Sequence, residues 1–144
     1  MSVDILIVED NPDDAAFALR ALRRRSSATA VHVVEDGAEA LEYIFATERY
    51  SDRAVEALAR IILLDIKLPL VDGFEVLQRI KADPRTRRTP VIMMTSSDAA
   101  GDRNRAYDLG ANSYIVKPVD FNELADAVLE CASYWLKLNR PPPN

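Results

Sequence analysis

A run of four large aliphatic side chains, residues 61–64, lies in the middle of the sequence and is followed directly by Asp65. No polar residue alternates with these side chains, a pattern typical of a parallel strand that helices cover on both faces. Because burying an unpaired charge is costly, we expect Asp65 to lie just beyond the hydrophobic layer, exposed but positioned at the carboxyl end of this strand. Pro69 and the pair Asp72-Gly73 then predict a turn and the start of a helix.

The same alternation of short apolar runs and amphipathic stretches extends along the rest of the chain. Asn11 precedes a proline, and Asp36, Asp72 and Asp120 each stand three residues before a glutamate, which are signals for helix starts. Strands and helices therefore alternate, and right-handed crossovers give an α/β fold with a doubly wound, five-stranded parallel sheet in the flavodoxin-like order 2-1-3-4-5. The predicted strands are residues 3–8, 31–34, 61–64, 91–94 and 113–116, and the five predicted helices cover about 12–25, 37–45, 73–82, 99–109 and 121–138.

The composition marks no boundary between two domains. A chain of 144 residues with 49% hydrophobic side chains can build one core of its own. We therefore expect one domain, residues 1–139, followed by a proline-rich tail, residues 140–144. The segment 47–60 is the least regular part, with one helical turn predicted near 55–59.

Charge and cysteine content narrow the class of protein. The net charge of −5 weighs against general nucleic-acid binding, and the single Cys131 fits a reducing compartment. The first residues lack the pattern of a signal peptide, and no stretch is apolar enough over sufficient length to span a membrane. The expected location is the cytoplasm, without membrane contact.

Polar side chains follow several strands at the points where those strands end. Glu9 and Asp10 follow the first strand and Asp65 the third, while Thr95 and Lys117 close the fourth and fifth. In the expected sheet these ends face one crevice, where two carboxylates about 4 Å apart repel by roughly 4 kcal/mol at an effective dielectric near 20. Three acids therefore predict a cation, and oxygen ligands favour Mg²⁺. With a mobile lysine cation and a hydroxyl nearby, the group suits phosphoryl transfer onto Asp65.

Two other functions fit the same topology. A flavin- or nucleotide-binding protein would want a loop rich in glycine or hydroxyls after its first strand, where Glu9 and Asp10 would repel phosphate. An aspartyl phosphohydrolase shares the chemistry but would carry its nucleophile after the first strand and turn over phosphate esters. Taken singly, Asp65 also fits a turn former, and Lys117 a solvated loop lysine. The only histidine, His32, is expected at a strand edge.

Four short motifs, in order along the chain, carry a resemblance to a known family. They fall at predicted strand ends, and together they resemble the receiver domain of two-component response regulators over about residues 3–135. This resemblance identifies residues 1–139 as a receiver domain with an extended C-terminal helix. The motifs are Val8-Glu9-Asp10-Asn11, Leu64-Asp65-Ile66-Lys67-Leu68-Pro69, Met94-Thr95-Ser96 and Tyr114-Ile115-Val116-Lys117-Pro118.

The resemblance implies a phosphoacceptor and a metal site. Asp65 is implied to accept a phosphoryl group from a sensor histidine kinase. Mg²⁺ would be held by Asp10, Asp65 and the backbone carbonyl of Lys67, while Glu9 assists through water. Many relatives carry asparagine where this chain has Lys67, a departure that leaves the backbone contact in place and is expected to alter the access of water to the acyl phosphate.

The resemblance also implies a switch. Thr95 and Lys117 would grip the phosphoryl group, the bond between Lys117 and Pro118 is expected to be cis, and Tyr114 matches the aromatic switch position, although its ring fits half-buried core equally well. The implied protein signals through protein contacts and is not an enzyme beyond slow self-dephosphorylation. An intermediate of a multistep phosphorelay is the alternative.

The C-terminal region suggests a narrower resemblance and a partner. The long stretch before the central strand and the ending 134–139 look like the stand-alone regulators paired with bacterial phytochrome kinases. On the final helix, Trp135 and Leu138 widen the apolar stripe beyond what packing on one sheet requires. We therefore expect a homodimer that buries Trp135 and Leu138.

Overall fold

The computed structural model describes residues 3–143, in which strands and helices alternate. The strands are β1 Val3–Val8, β2 Val31–Val34, β3 Ala59–Leu64, β4 Val91–Thr95 and β5 Ser113–Val116, and the helices are α1 Pro12–Arg25, α2 Gly37–Phe45, α3 Gly73–Ala82, α4 Ala100–Asp108 and α5 Phe121–Ser133. The five strands form a parallel sheet in the order β2-β1-β3-β4-β5, which confirms the predicted fold class and strand order. Two single 3₁₀ turns, Glu48–Tyr50 and Val55–Ala57, lie between α2 and β3.

Side-chain caps begin four of the five helices, as their sequences predict. The Asn11 carboxamide oxygen accepts the N–H groups of the first turn of α1, with Pro12 at its first position. Asp36, Asp72 and Asp120 cap α2, α3 and α5 in the same way. These caps fix where each helix leaves the carboxyl end of the preceding strand, which is the edge where the polar residues gather.

The central strand β3 is covered on both faces, because its side chains alternate between two buried clusters. Ile62 and Leu64 pack in a cluster with residues of α2 and α3, whereas Ile61 and Leu63 pack in a cluster with residues of α1 and α5. Register with β1 pairs Leu64 with Val8, so the residues that follow the two strands are neighbours. The prediction of a strand buried on both sides is confirmed.

The segment between α2 and β3 has two short turns where the sequence predicted one. His32 stacks on the Tyr43 ring and lies 3.0 Å from the Tyr50 hydroxyl, which in turn donates to Glu39 at 2.7 Å. The Arg53 guanidinium donates to three backbone carbonyls, among them that of Tyr43. These contacts join residues distant in sequence, so no local pattern could have predicted them.

The final helix continues beyond α5 as a π-helical turn, Tyr134–Leu138. Trp135 is partly buried against the cluster shared by α1 and α5, whereas Leu138 is 72% exposed. Within residues 3–143, none of the helices combines the length and the apolar character that a membrane crossing needs.

Candidate functional site

The parallel sheet brings the ends of β1, β3 and β5 to one edge of the molecule. Glu9 and Asp10 follow β1, Asp65 follows β3, and Lys117 follows β5. The Asp65 N–H donates to the Val8 carbonyl at 3.1 Å, which ties the start of this loop to the neighbouring strand. Backbone pairing therefore sets the distance between the acidic side chains.

Three carboxylates meet at this edge. Carboxylate oxygens of Glu9, Asp10 and Asp65 all lie within 4.8 Å of one another. Glu9 and Asp65 are each only 7% exposed, whereas Asp10 is exposed. Asp65 was expected to be exposed; the structure buries it, because a cation compensates its charge within the same pocket. Burial raises the pKa of the Glu9 carboxyl above its ordinary value.

The donor set fits a hard divalent cation. All three groups offer carboxylate oxygens, the ligands that Mg²⁺ and Mn²⁺ prefer. A cation bound between them would also relieve the repulsion between their negative charges. Lys67 follows Asp65 by two residues and has an exposed side chain. The role of its backbone carbonyl as a ligand remains a prediction.

Lys117 joins this acidic group from the last strand. Its ammonium donates to Glu9 Oε1 at 2.8 Å, to Asp14 Oδ2 at 2.9 Å and to Asp65 Oδ2 at 3.0 Å. Burial by itself lowers the pKa of Lys117, but the bonds to Glu9 and Asp14 outweigh it and hold the pKa above its ordinary value. The side chain is 9% exposed. The cation was expected to be mobile, but the carboxylates of Glu9, Asp14 and Asp65 hold it in place.

The peptide bond between Lys117 and Pro118 is trans, since residues 3–143 contain no cis bond. The expected cis bond was therefore wrong. The energy difference between the isomers before proline is only about 0.5–1 kcal/mol, so the surrounding contacts decide. Here the backbone N–H of Lys117 donates to the Thr95 carbonyl at 2.7 Å. The ammonium of the same residue donates to the carboxylates of Glu9, Asp14 and Asp65.

Asp14 is a residue of the site that the sequence did not predict. It lies in the first turn of α1 beside Asp13, where acidic residues are ordinary partners of the helix dipole. The structure separates the two, because Asp14 faces the Lys117 ammonium while Asp13 is exposed. The only signal in the sequence was that this helix starts four residues after β1 ends, at the same edge as the predicted site.

Thr95 and Tyr114 meet on the loop after β4 and not on the carboxylates. The buried Thr95 hydroxyl accepts the Ser97 N–H at 3.4 Å, and within residues 3–143 no hydrogen bond joins it to Asp65 or Lys117. The Tyr114 ring packs against the core cluster of α2 and α3, and its hydroxyl donates to the Ser97 carbonyl at 3.0 Å. Burial raises the pKa of this tyrosine. Both side chains thus contact one loop residue, Ser97, and their switch role remains a prediction.

A glycine keeps the loop of Asp65 in place. Gly73, the first residue of α3, donates its N–H to the Ile66 carbonyl at 2.7 Å. A Cβ atom at Gly73 would overlap the Asp65 carbonyl oxygen and lie 2.8 Å from the Ile66 Cα. Only glycine lets the helix approach the backbone of the central loop this closely.

Comparisons with known proteins agree with this geometry. The family described as response regulator receiver domain matches residues 5–129. The probable methanogenesis regulatory protein FilR2 of Methanothrix harundinacea is 41% identical over 138 residues, which are 96% of this chain and 86% of that protein. The crystal structure of the phosphorylated cyanobacterial phytochrome response regulator RcpA is 34% identical with a TM-score of 0.92, covering 99% of this chain and 100% of that one.

A metal-bound structure is also similar. The response regulator Rcp1 of Synechocystis is 31% identical over 133 residues, which are 92% of this chain and 88% of that protein. The crystal structure of the Mn(2+)-bound form of response regulator Rcp1 is 30% identical with a TM-score of 0.89, covering 98% of this chain and 99% of that one. Of the three functions that the sequence left open, these similarities bear out the receiver. Receivers bind a divalent cation through an acidic group of the kind found here.

Proposed function

The chain belongs to the response regulator receiver family, and we propose that Asp65 is the residue on which it accepts a phosphoryl group from a sensor histidine kinase. The family consists of phosphoacceptor switches and not of classical enzymes. Glu9 and Asp65 both belong to the three clustered carboxylates and both contact the Lys117 ammonium. The single observation that carries the choice of Asp65 is that it alone of the two follows β3, the central strand of the sheet.

The other two carboxylates are less suited to attack phosphorus. Asp10 is exposed. Glu9 is buried with a raised pKa, which favours its protonated and less nucleophilic form. Asp65 directs Oδ2 toward the ammonium while Oδ1 accepts the Ile66 N–H at 2.7 Å, and these two bonds fix the orientation of its carboxylate.

The transfer forms one bond and breaks one. An Asp65 carboxylate oxygen bonds to phosphorus, the bond from phosphorus to the kinase imidazole nitrogen breaks, and that nitrogen keeps the electron pair and takes up a proton. The Lys117 ammonium stabilises the charge on the phosphoryl oxygens. A Mg²⁺ ion held by Glu9, Asp10, Asp65 and the Lys67 carbonyl would supply further neutralisation of this charge.

The signal leaves the site through the loop after β4. Once Asp65 is phosphorylated, the Thr95 hydroxyl moves toward the phosphoryl oxygens and donates to one of them. This movement shifts Ser97, which both Thr95 and Tyr114 contact. The Tyr114 hydroxyl then loses its acceptor and the ring rotates. The surface formed by α4, β5 and α5 changes shape, and a protein partner reads that change.

A phytochrome-type kinase is the partner that the similar proteins favour. RcpA is described as a phytochrome response regulator, and its structure superposes on nearly the whole chain. Phosphotransfer profiling against a panel of kinases tests this assignment. Preferred transfer from a kinase of another sensor class would contradict it.

The C-terminal turn supports a homodimer as a further partner. Leu138 is 72% exposed and Tyr134 about half exposed, while Trp135 packs against the buried cluster of α1 and α5. A second copy would cover Leu138 and the outer edge of Trp135. Sedimentation at tens of micromolar should show a dimer that Leu138→Ser dissociates and that Leu70→Ser, at another exposed leucine, leaves intact; a monomeric wild type would contradict it.

The acceptor is tested with a radiolabelled small phosphodonor and Mg²⁺. We expect acid-stable, base-labile labelling of the wild type, no labelling of Asp65→Asn, and normal labelling of Asp108→Asn, which removes an exposed acid on α4. Stoichiometric labelling of Asp65→Asn would show that the acceptor lies elsewhere.

A further inference from the structure

Asp14 takes part in the site although it is not one of the three clustered carboxylates. Its Oδ2 accepts from the Lys117 ammonium at 2.9 Å, as close as the contacts of Glu9 and Asp65. The side chain is mostly buried, and Asp14 comes from α1 while Lys117 follows β5. This contact joins two parts of the chain that are 103 residues apart.

The geometry of the ammonium explains how the contact with Asp14 orients Lys117. An ammonium group has three N–H bonds, and each meets a different carboxylate here. Because Glu9 and Asp14 occupy two of them, the third is directed at Asp65. That is the position where a phosphoryl group on Asp65 would arrive.

The contact of Asp14 with Lys117 also differs from those of Glu9 and Asp65, because a metal ion would compete for the other two carboxylates. Glu9 and Asp65 belong to the acidic group that fits a divalent cation, so a bound ion would compete with the ammonium for these two carboxylates. Asp14 lies outside that group. Its carboxylate therefore continues to hold the ammonium when the others change partners.

We infer that Asp14 is a positioning residue that orients the Lys117 ammonium toward the phosphoryl group on Asp65. The inference rests on the proposed function, because it assumes that Asp65 is the acceptor. Asp14 does not touch the phosphoryl group. It acts through Lys117, which must be placed before the charge on the phosphoryl oxygens develops.

The test compares two isosteric variants of neighbouring residues. Asp14→Asn and Asp13→Asn each remove one negative charge from the first turn of α1, but only the first alters the contact with Lys117. At saturating Mg²⁺ and phosphodonor, we expect the maximal labelling rate to fall about tenfold in Asp14→Asn and to change less than about twofold in Asp13→Asn. Asp14→Glu, which keeps the charge, should recover to within about threefold of the wild type.

A second measurement does not depend on phosphorylation. The Lys117 ammonium protons should be protected from exchange in NMR spectra of the wild type and of Asp13→Asn, and should exchange faster in Asp14→Asn. Equal labelling and equal exchange in the two asparagine variants would overturn the role of Asp14. If the wild type is not labelled, or Asp65→Asn still is, the acceptor assignment has failed; the exchange measurement then still decides whether Asp14 holds the ammonium.

Discussion

Replacement of Gly73 by alanine should test how tightly the site depends on the packing of α3. The added Cβ would overlap the Asp65 carbonyl oxygen and lie 2.8 Å from the Ile66 Cα and 2.9 Å from the Asp65 carbonyl carbon. Real Cβ atoms essentially never come within 3.0 Å of such atoms. All of the contacted atoms are backbone, so no side-chain rotation relieves the overlap. Either α3 moves away from the sheet or the loop of Asp65 moves.

The magnitude follows from packing and from catalytic geometry. Overpacking of a close-packed interior costs typically 1–3 kcal/mol, and alanine in place of glycine in a helix returns at most about 1 kcal/mol. Because Gly73 is the first residue of α3 and not an interior one, this gain is small, and we expect Gly73→Ala to lower the free energy of unfolding by about 1–3 kcal/mol. A misplacement of about 1 Å in reacting groups can reduce a rate by about a hundredfold, so labelling of Asp65 should slow by at least about tenfold.

The control is the same substitution in another helix. A Cβ at Gly101, in α4, meets no atom within 4 Å. Gly101→Ala should raise the free energy of unfolding by about 0.5–1 kcal/mol and leave labelling unchanged. Urea titrations followed by circular dichroism measure the stability, and phosphodonor kinetics measure the labelling. If Gly73→Ala is as stable as Gly101→Ala and labels at the wild-type rate, the reasoning is refuted.

Three further predictions concern charge and hydrogen bonding. Lys117→Gln leaves three carboxylates without their cation and should lower the free energy of unfolding by about 3 kcal/mol in urea titrations, with millimolar Mg²⁺ restoring part of the loss. Burial lowers the pKa of His32 below 6.5, so its stabilising contribution, present above pH 6.5, should be lost as the pH falls through the folded pKa; the stability difference between the wild type and His32→Asn should shrink accordingly. Tyr50→Phe removes the contacts of this hydroxyl with Glu39 and His32 and should lower the free energy of unfolding by about 1 kcal/mol, whereas an unchanged melting temperature would show that the two contacts together contribute nothing.

Much of the fold is encoded in short stretches of sequence. The aliphatic run that ends at Asp65 predicted a central strand covered on both faces, and the spacing of Asp36 and Asp72 ahead of glutamates predicted where two helices begin. Such signals depend on periodicity and on hydrogen bonds within one turn, so they are legible without the rest of the chain. Glu9 and Lys117 were predicted to converge because parallel strands place their carboxyl ends together.

Other features depended on contacts between distant segments. Asp14 and Asp13 both lie in the first turn of α1, and only the packing of α1 against α5 placed one of them near Lys117 and left the other exposed. Asp65 is buried instead of exposed because the Lys117 ammonium, from a distant part of the chain, compensates its charge.

The sequence by itself determined which polar residues stand at which strand ends, because strand, turn and cap signals are local. The tertiary structure alone decided which three carboxylates accept hydrogen bonds from the Lys117 ammonium and that the peptide bond before Pro118 is trans. It also decided that Trp135 packs against the core while Leu138 is exposed. Local sequence signals do not specify these outcomes, because the neighbours that decide them come from elsewhere in the chain.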